Sequence, residues 1–334
     1  MPDIAPEPAS QDIVAAVEAL GERMGRVRAE VGRAIIGQQQ VVDETLISLL
    51  SGGHLLLVGV PGLGKSKLVE TLATVLGLAS KRVQFTPDLM PGDILGSEVL
   101  DQDEAGRRAF RFVPGPIFTQ LLMADEINRA SPRTQSALLQ AMQEQRVAVG
   151  GVEHPLPRPF HVLATQNPIE QEGTYPLPEA QLDRFLLEIQ VTYPDLDAER
   201  AMLIATTGAA EAPPQQALTA AELMQAQALI RQIPVGAKVL EAILTLVRNG
   251  RPESTTEPLV TDYVAWGPGP RAAQALMLAS RARALLDGRL APSIDDVAAL
   301  APPILRHRMS LNYEARARGV TLAQVIARLV ERMG

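Results

Sequence analysis

The sequence predicts an α/β domain built on a parallel β-sheet, followed by an all-helical domain. Three observations lead to this fold class. A glycine-rich turn at residues 59–66 separates an apolar run from a helical pattern, and a later apolar run ends in the acidic pair at 125–126. From residue 195 onward, apolar positions recur at helical spacing. We therefore expect three parts: a flexible segment and helix over residues 1–36, the α/β domain over 37–193, and the helical domain over 194–334.

The composition is that of an ordinary globular protein. Of the 334 residues, 46% are hydrophobic and 21% are charged. The chain has no cysteine, which excludes disulfides and thiolate metal sites. Its net charge of −7 argues against nucleic acid as the main ligand, because phosphate contacts need clustered Lys and Arg. We find no apolar run near the roughly 18 residues of a membrane span and no basic-then-apolar leader, so we expect a cytoplasmic protein.

Residues 59–66 match the phosphate-binding pattern G-x-x-x-x-G-K-[ST]. The apolar run 54–58 predicts a buried strand before this loop, and residues 67–78 predict a helix after it. In this arrangement backbone N–H groups surround the phosphates of a nucleotide, and the helix N-terminus faces the same anion. Lys65 would reach the β- and γ-phosphates and Ser66 would bind Mg²⁺. The candidate nucleotide-binding residues are Gly59, Pro61, Gly62, Gly64, Lys65, Ser66, Lys67 and Asp125.

The chain after this loop departs from a plain alternating α/β pattern. Residues 82–85 predict a second core strand, but the stretch 86–116 is rich in Pro, Gly and acidic residues where one helix is expected. Within that stretch, 97–100 and 108–113 predict a hairpin joined across 101–106. A second hairpin is predicted around the two-residue turn Gly150-Gly151.

Polar side chains follow the later apolar runs. At the end of one strand, Asp125 would lie near the Mg²⁺ shell and Glu126 near the γ-phosphate. Asn167 follows the next apolar strand, where it would either hold the attacking water or form an Asn-Pro turn. Arg184 precedes the last predicted strand and, from the pattern alone, could equally be a surface arginine that caps it.

Helical periodicity predicts the remaining elements. A long helix over 11–35 and a second one over 39–50 precede the first strand. The helical domain is predicted to contain helices at 195–205, 219–230, 237–247, 270–286, 294–305 and 321–332. Thr219 with Glu222, and Thr321 with Gln324, have the spacing of capping boxes. None of the histidines has metal-ligand spacing, so we predict no histidine metal site.

Together these residues resemble the AAA+ ATPases, and more closely the MoxR family. The likeness runs from about Gly37 to the C-terminus. Its most specific motifs are QFTPDLMPGD at 84–93, ADEINRA at 124–130, ATQNP at 164–168, EAQLDRF at 179–185, GPRA at 269–272 and LRHR at 305–308. All six occur in the order that the family has. The fold that the resemblance implies is a P-loop AAA+ domain with hairpin insertions, followed by an α-helical lid.

The resemblance also implies roles that the pattern alone does not establish. Glu126 is similar to the general base that polarises water, Asn167 to the first sensor, Arg184 to the arginine finger and Arg271 to the second sensor. An arginine finger in such a ring is supplied to a neighbour's nucleotide, which would place the active site between subunits. The hairpins match insertions of the branch shared with magnesium chelatases and MCM helicases. In that branch the lid is repositioned, so Arg271 acts either in cis or in trans.

One stretch differs from the family pattern. Residues 262–270 read DYVAWGPGP instead of leading into the commoner Gly-Ala-Ser-Pro-Arg-Ala form. Arg271 is retained, but the loop that carries it is expected to differ.

The implied function is a Mg²⁺-dependent ATPase that assembles into a ring, expected to be a hexamer, and uses hydrolysis to remodel or mature a protein partner. The implied cofactors are ATP/ADP and Mg²⁺. The implied partner is a protein with a von Willebrand factor A domain, acting together with a client complex.

Two alternatives stay open. A nucleic-acid translocase would use the first hairpin, where arginines at 107, 108 and 111 offer positive charge, although acidic residues at 101, 103 and 104 share it. A regulatory nucleotide-binding module with little hydrolysis is the other alternative, and the presence of Glu126, Asn167 and Arg184 weighs against it.

Overall fold

The computed structural model describes residues 8–102, 108–169, 173–208 and 213–333. The first part of the chain comprises α1 (Pro8–Ala34), α2 (Gln39–Leu50), β1 (Leu55–Val58), α3 (Lys65–Val75), β2 (Ser80–Gln84), α4 (Pro91–Leu95), β3 (Gly96–Gln102), β4 (Arg108–Pro114), β5 (Leu121–Asp125), α5 (Pro132–Glu144), β6 (Arg146–Val149), β7 (Val152–Pro155), β8 (His161–Gln166), α6 (Glu179–Leu182) and β9 (Leu187–Gln190). The second part comprises α7 (Leu196–Thr207), α8 (Ala220–Ile230), α9 (Ala237–Asn249), α10 (Pro258–Thr261), β10 (Val264–Trp266), α11 (Pro270–Leu286), α12 (Ile294–Leu305), β11 (Ser310–Leu311), α13 (Tyr313–Arg318) and α14 (Leu322–Glu331). Single 3₁₀ turns lie at Ile127–Arg129, Pro252–Ser254 and Arg306–Arg308.

The central sheet is parallel, with the strand order β2-β5-β8-β1-β9. Strands β1, β5 and β8 are almost wholly buried, as their continuous apolar runs predict for parallel strands covered on both faces. Strand β2, predicted as a core strand, lies at the edge of the sheet, and Val83 is its one buried residue. The α/β fold class and its parallel sheet are confirmed.

Two hydrophobic cores cover the two faces of the sheet. One contains apolar residues of α1, α2 and α3 together with those of the helices that follow residue 219. The other is built from α5, the side of the sheet that it faces, and residues flanking the hairpins. Because the first core includes Met24, Val27 and Val31 at essentially no exposure, the N-terminal helix packs within this chain.

Both predicted hairpins are present. Strands β3 and β4 pair antiparallel, as do β6 and β7 around Gly150-Gly151, whose positive φ angles of 59° and 82° suit a two-glycine turn. The Phe112 ring stacks on the His154 ring with centroids 3.9 Å apart, so the two hairpins contact each other. The tip of the first hairpin, residues 103–107, and the N-terminal residues 1–7 predicted as flexible lie outside the described residues.

The chain beyond residue 193 is helical, and the helices predicted from periodicity are present within a few residues of their expected ends. Both capping boxes form, at Thr219 with Glu222 and at Thr321 with Gln324. A small antiparallel ribbon of β10 and β11 adds to this part and was not predicted. Its strands of three and two residues are too short to produce a readable alternation.

Candidate active site

The phosphate-binding pattern forms an open loop between β1 and α3. Gly62 and Gly64 adopt positive φ angles of 87° and 76°, which glycine adopts without a steric penalty. A Cβ at either position would meet no atom within 4 Å, so the loop faces open space. Gly64 is also the N-cap of α3. The loop therefore presents backbone N–H groups and a helix N-terminus to the same cavity, an arrangement that favours an anion.

The Lys65 ammonium is held over this loop. Its Nζ donates hydrogen bonds to the carbonyl oxygens of Gly59 and Val60, at 2.6 and 2.7 Å. Burial lowers the pKa of Lys65, while the carboxylates of Asp125 and Glu126 act in the opposite direction. The lysine thus stands between the loop and the acidic pair.

Thr165 links the two acidic residues. Its hydroxyl donates to Asp125 Oδ1 at 2.6 Å and accepts from the backbone N–H of Glu126 at 2.8 Å. The register of β5 and β8 brings these residues together, because Ala124 pairs with Ala164 and the next residue of each strand follows at the carboxyl edge. Glu126 takes a left-handed backbone with φ 55° and ψ 50°, which is uncommon for a residue with a side chain. The Thr165 hydroxyl therefore fixes both the Asp125 carboxylate and the backbone turn at Glu126.

The Glu126 carboxylate is held by two further side chains. Gln84 Nε2, from the end of β2, donates to Glu126 Oε2 at 2.7 Å. Arg129 Nη1 donates to the same oxygen at 3.0 Å. Both contacts end on Oε2 and orient the carboxylate, and neither uses its second oxygen, Oε1, which can serve as the base.

Arg82 pairs with the other carboxylate. Its Nε and Nη2 donate to Asp125 Oδ2 at 3.2 and 2.5 Å. The Arg82 side chain is half exposed, whereas that of Asp125 is mostly buried. Thus Asp125 is oriented from one side by Thr165 and from the other by a half-exposed arginine.

These groups enclose one cavity of about 260 Å³. Its lining includes the sequence-predicted residues Pro61, Gly62, Gly64, Lys65, Ser66, Lys67, Asp125, Glu126 and Asn167, with Arg82, Gln84 and Thr165 in addition. Asn167 is buried, and its Oδ1 accepts the backbone N–H of Ile169 at 3.2 Å. Gly59 does not line the cavity but carries a carbonyl that holds Lys65.

The donor set of this cavity fits Mg²⁺ with a nucleotide. A hydroxyl at Ser66 and a carboxylate at Asp125 are hard oxygen ligands, and Mg²⁺ in such sites takes one or two protein groups plus phosphate oxygens and water. In the described ranges, no cluster of three or more acidic, histidine or cysteine side chains able to hold a metal occurs.

A second, more apolar cavity of about 430 Å³ lies on the other side of the phosphate loop. It shares residues 61–64 and Lys67 with the first cavity. Its other walls come from the segment before α2 and from the start of the helical part, including Ile35, Ile36, Tyr193 and Met202. The loop therefore separates a polar cavity from an apolar one.

Arg184 and Arg271 lie elsewhere. Both line a third cavity, of about 290 Å³, together with Gly53 and His54 at the amino end of β1. The phosphate loop follows the carboxyl end of the same strand, and six residues at about 3.3 Å each separate the two ends by roughly 20 Å. The structure thus brings Lys65, Ser66, Asp125, Glu126 and Asn167 together and places the two arginines at the opposite edge of the sheet.

Sequence reasoning missed four residues of these sites. Thr165, Gln84 and Arg82 line the phosphate cavity, and Arg308 lies beside Arg184. Gln84, Thr165 and Arg308 each lie within one of the family motifs given above. The motifs therefore marked these segments as functional, but nothing in them indicated the part that each side chain plays.

Among the described helices, none has the length and hydrophobicity needed to cross a lipid bilayer.

Comparison with known proteins gives a consistent result. Residues 54–187 match the family described as "ATPase family associated with various cellular activities (AAA)", and residues 256–329 match the "AAA lid domain". Chaperone MoxR1 of Mycobacterium tuberculosis is 43% identical over 303 residues, which cover 90% of this chain and 79% of that protein. Protein MoxR of Methylorubrum extorquens is 32% identical, over 91% of this chain and 92% of that protein. A crystal structure of a candidate ATPase from Cytophaga hutchinsonii has a TM-score of 0.88 at 36% identity, with 97% of each chain covered.

Proposed function

The chain belongs to the MoxR family of AAA+ ATPases, and from that premise we propose that it hydrolyses ATP with Mg²⁺ at a site completed by a second copy of itself. The observation that carries the proposal is the Asp125–Thr165–Glu126 chain of hydrogen bonds, which faces Lys65 and the phosphate loop across one cavity. A regulatory module with little hydrolysis would have no need for a carboxylate held at this place.

The two cavities beside the loop suit the two halves of ATP. The polar cavity would take the phosphates, whose charge is met by Lys65 and by the N-terminus of α3. The apolar cavity, with Ile35, Ile36 and Tyr193 in its walls, would take the nucleoside. Because both share Pro61 to Gly64, a single ligand can extend from one into the other around the loop.

Within the phosphate cavity each side chain has a distinct task. Glu126, whose carboxylate is oriented by Gln84 and Arg129 through Oε2, accepts a proton from the water that attacks the γ-phosphate. Asn167 supplies an amide that can orient this water or the γ-phosphate. Lys65 offsets the charge that develops on the phosphate oxygens. Ser66 and Asp125 would hold Mg²⁺, which supplies charge neutralisation on the phosphates when bound.

Assembly enters the proposal because the arginines are remote from this cavity. Arg184 and Arg271 share a cavity at the opposite edge of the sheet, roughly 20 Å from the phosphate loop of their own chain. Packing the Arg184 edge of one chain against the loop edge of the next is a heterologous contact, which generates a ring if it closes. We therefore assign both arginines to a neighbour's nucleotide, and a hexamer is the expected ring.

The use of hydrolysis is proposed as remodelling or maturation of a protein partner. Its support is the similarity to relatives named MoxR and Chaperone MoxR1. The proposed partner contains a von Willebrand factor A domain. Pull-down of such proteins with the chain in its ATP, ADP and nucleotide-free states tests this, and absence of binding in all three states would remove the partner from the proposal.

Three further assignments stay predictions: the division of the chain after residues 36 and 193, the cytoplasmic location, and the expectation that the protein is not a nucleic-acid motor. The last is tested by adding DNA, because stimulation of turnover that falls steeply with salt would favour a translocase.

The experiment for hydrolysis itself compares wild type with Glu126→Gln. We expect wild type to release phosphate with Mg²⁺ and to lose this activity in EDTA, while Glu126→Gln binds ATP with similar affinity and releases little phosphate. Equal turnover of the two proteins would exclude Glu126 as the base.

A further inference from the structure

The segment that carries Arg184 is fastened to the helical part by one buried side chain. Arg308, in the 3₁₀ turn after α12, has a side chain only 2% exposed. Its Nε donates to Asp183 Oδ1 at 2.7 Å. Asp183 immediately precedes Arg184, so this ion pair joins the helical part to the residue next to the predicted arginine finger.

All five N–H donors of Arg308 are used. Nη1 donates to the carbonyl oxygens of Ile304 and Leu186 at 2.7 and 3.0 Å. Nη2 donates to those of Phe185 and Asp183 at 2.6 and 3.3 Å. A guanidinium has five donors in a fixed plane, and here every donor meets an acceptor. Four of the five bonds end within residues 183–186, so this segment follows Arg308 as one body.

The charge balance of this contact keeps Arg308 in place. Burial lowers the pKa of Arg308, and the Asp183 carboxylate opposes that shift. The neighbouring His307 adds a hydrogen bond, since its Nε2 lies 2.9 Å from the Phe185 carbonyl oxygen. Burial lowers the pKa of His307 well below the ordinary value, which keeps its ring neutral. The contact is thus held by polar groups in a dry environment, where losing one partner is costly.

Asp183 also contacts the second arginine. Arg271 Nη1 lies 3.5 Å from Asp183 Oδ2, and the Arg271 side chain is about half exposed. This contact is long and solvent-accessible, so Arg271 can leave Asp183 while Arg308 remains bound. The Arg184 side chain makes no hydrogen bond or ion pair with the described residues and is partly exposed beside the same cavity, while its backbone N–H donates to the Gln181 carbonyl oxygen at 3.2 Å. One carboxylate therefore connects a fixed arginine, a movable arginine and the backbone of the finger.

We propose that Arg308, acting through Asp183, is a positioning residue that sets where Arg184 stands and so makes the neighbour's hydrolysis depend on the position of this chain's helical part. The proposal rests on the shared site described under "Proposed function". A movement of α12 displaces residues 183–186 through the four bonds that join Arg308 to them, and with them Arg184. The Asp183 carboxylate released by Arg271 keeps its bond to Arg308, so the finger stays ordered while Arg271 turns to the neighbour's nucleotide.

The test uses Asp183→Asn, which keeps the size of the side chain and removes its charge. We expect turnover to fall about 10- to 100-fold, the range that a misplacement of about 1 Å produces. The affinity of each chain for ATP is expected to stay within about twofold, because Arg184 acts on a neighbour and in the transition state. Arg308→Lys is the second variant, since an ammonium with three donors cannot replace the planar group, and it should lose turnover in the same way.

Mixing experiments separate positioning from folding. An Asp183→Asn chain retains Glu126, so mixing it with Glu126→Gln creates interfaces that join an intact base to an intact finger segment, and turnover should return. Mixing it with Arg184→Ala should restore nothing, because both chains are defective at the same edge. A matched control is Glu257→Gln, which removes the carboxylate of a buried ion pair with Arg332 away from α12 and from both cavities and should leave turnover per folded chain unchanged.

Four results would overturn the proposal or its premise. Wild-type turnover in Asp183→Asn, or a defect that Glu126→Gln chains do not rescue, contradicts positioning. A similar loss of turnover in Glu257→Gln assigns the effect to stability. If Arg184→Ala and Glu126→Gln themselves fail to rescue each other, the shared site fails, and the positioning role fails with it.

Discussion

Replacing Thr165 by valine removes one hydroxyl and keeps the shape of the side chain. Thr165 is almost fully buried, and its hydroxyl makes two bonds, to the Asp125 carboxylate and from the Glu126 N–H. Loss of the bond to an ionised group costs about 1.5–3 kcal/mol, and the orphaned N–H about 1–3 kcal/mol more. We expect the free energy of unfolding to fall by roughly 2.5–6 kcal/mol, with the lower values applying if water enters.

The same substitution should affect catalysis through the backbone of Glu126. The left-handed turn at Glu126 is held by the Thr165 hydroxyl, and releasing it lets the carboxylate move relative to the phosphate cavity. If the Thr165 hydroxyl stabilises the transition state by about 1.4–2.8 kcal/mol relative to bound ATP, its removal lowers kcat about 10- to 100-fold. The KM for ATP should change little, because the phosphate loop is untouched.

Thr45→Val is the matched control. Thr45 is equally buried, but its hydroxyl donates only to the Val41 carbonyl within α2. Its loss should cost about 0.5–1.5 kcal/mol and leave kcat as in wild type. Denaturant unfolding and steady-state phosphate release measure both quantities on the same samples. Unchanged kcat in Thr165→Val, at whatever stability, would refute the argument that Thr165 sets the position of Glu126.

Two further predictions concern Lys65 and the buried histidines. Lys65→Ala should weaken ATP binding at least about tenfold, because it removes a partly buried charge from the phosphate cavity. Lys81→Ala, on the exposed edge strand, is the control and should leave the affinity for ATP unchanged. Titration calorimetry measures both affinities, and equal values for the two variants would contradict the role assigned to Lys65. Burial lowers the pKa of His54 to about 3 and that of His161 to about 4, so below pH about 6.5 only the unfolded chain binds these protons. Their contribution to stability is complete above that pH and is lost as pH falls toward the folded values, by up to about 1.4 kcal/mol per pH unit for each group. Urea unfolding between pH 7 and 5 should show a shallower decline for His161→Gln than for wild type, and parallel declines would contradict the pKa of His161.

The carboxyl edge of the sheet could be predicted from the sequence because each strand is a short, continuous apolar run. In a parallel sheet such runs end at one edge, so the residues after β1, β5 and β8 had to meet there. The hairpin around Gly150-Gly151 was predictable for a similar reason, because its turn chemistry is local.

Contacts between distant segments could not be predicted in this way. Thr165 reads as one more residue of a β-prone strand, and its bridging role appears only when β8 lies beside β5. The Arg308–Asp183 pair joins residues 125 positions apart, and nothing in the local pattern marks arginine as a buried residue. The edge position of β2 likewise depends on the strand order, which periodicity does not contain.

The central claim, that one active site is built from two copies of the chain, is tested most directly by mixing Arg184→Ala with Glu126→Gln. Each variant alone should show little turnover, while binding ATP. We expect the mixture to recover part of the wild-type rate, because some interfaces join an intact Glu126 to an intact Arg184. We also expect the wild-type rate per chain to rise with protein concentration. No recovery in mixtures shown to be assembled, together with full activity of a wild-type monomer, would contradict the central claim.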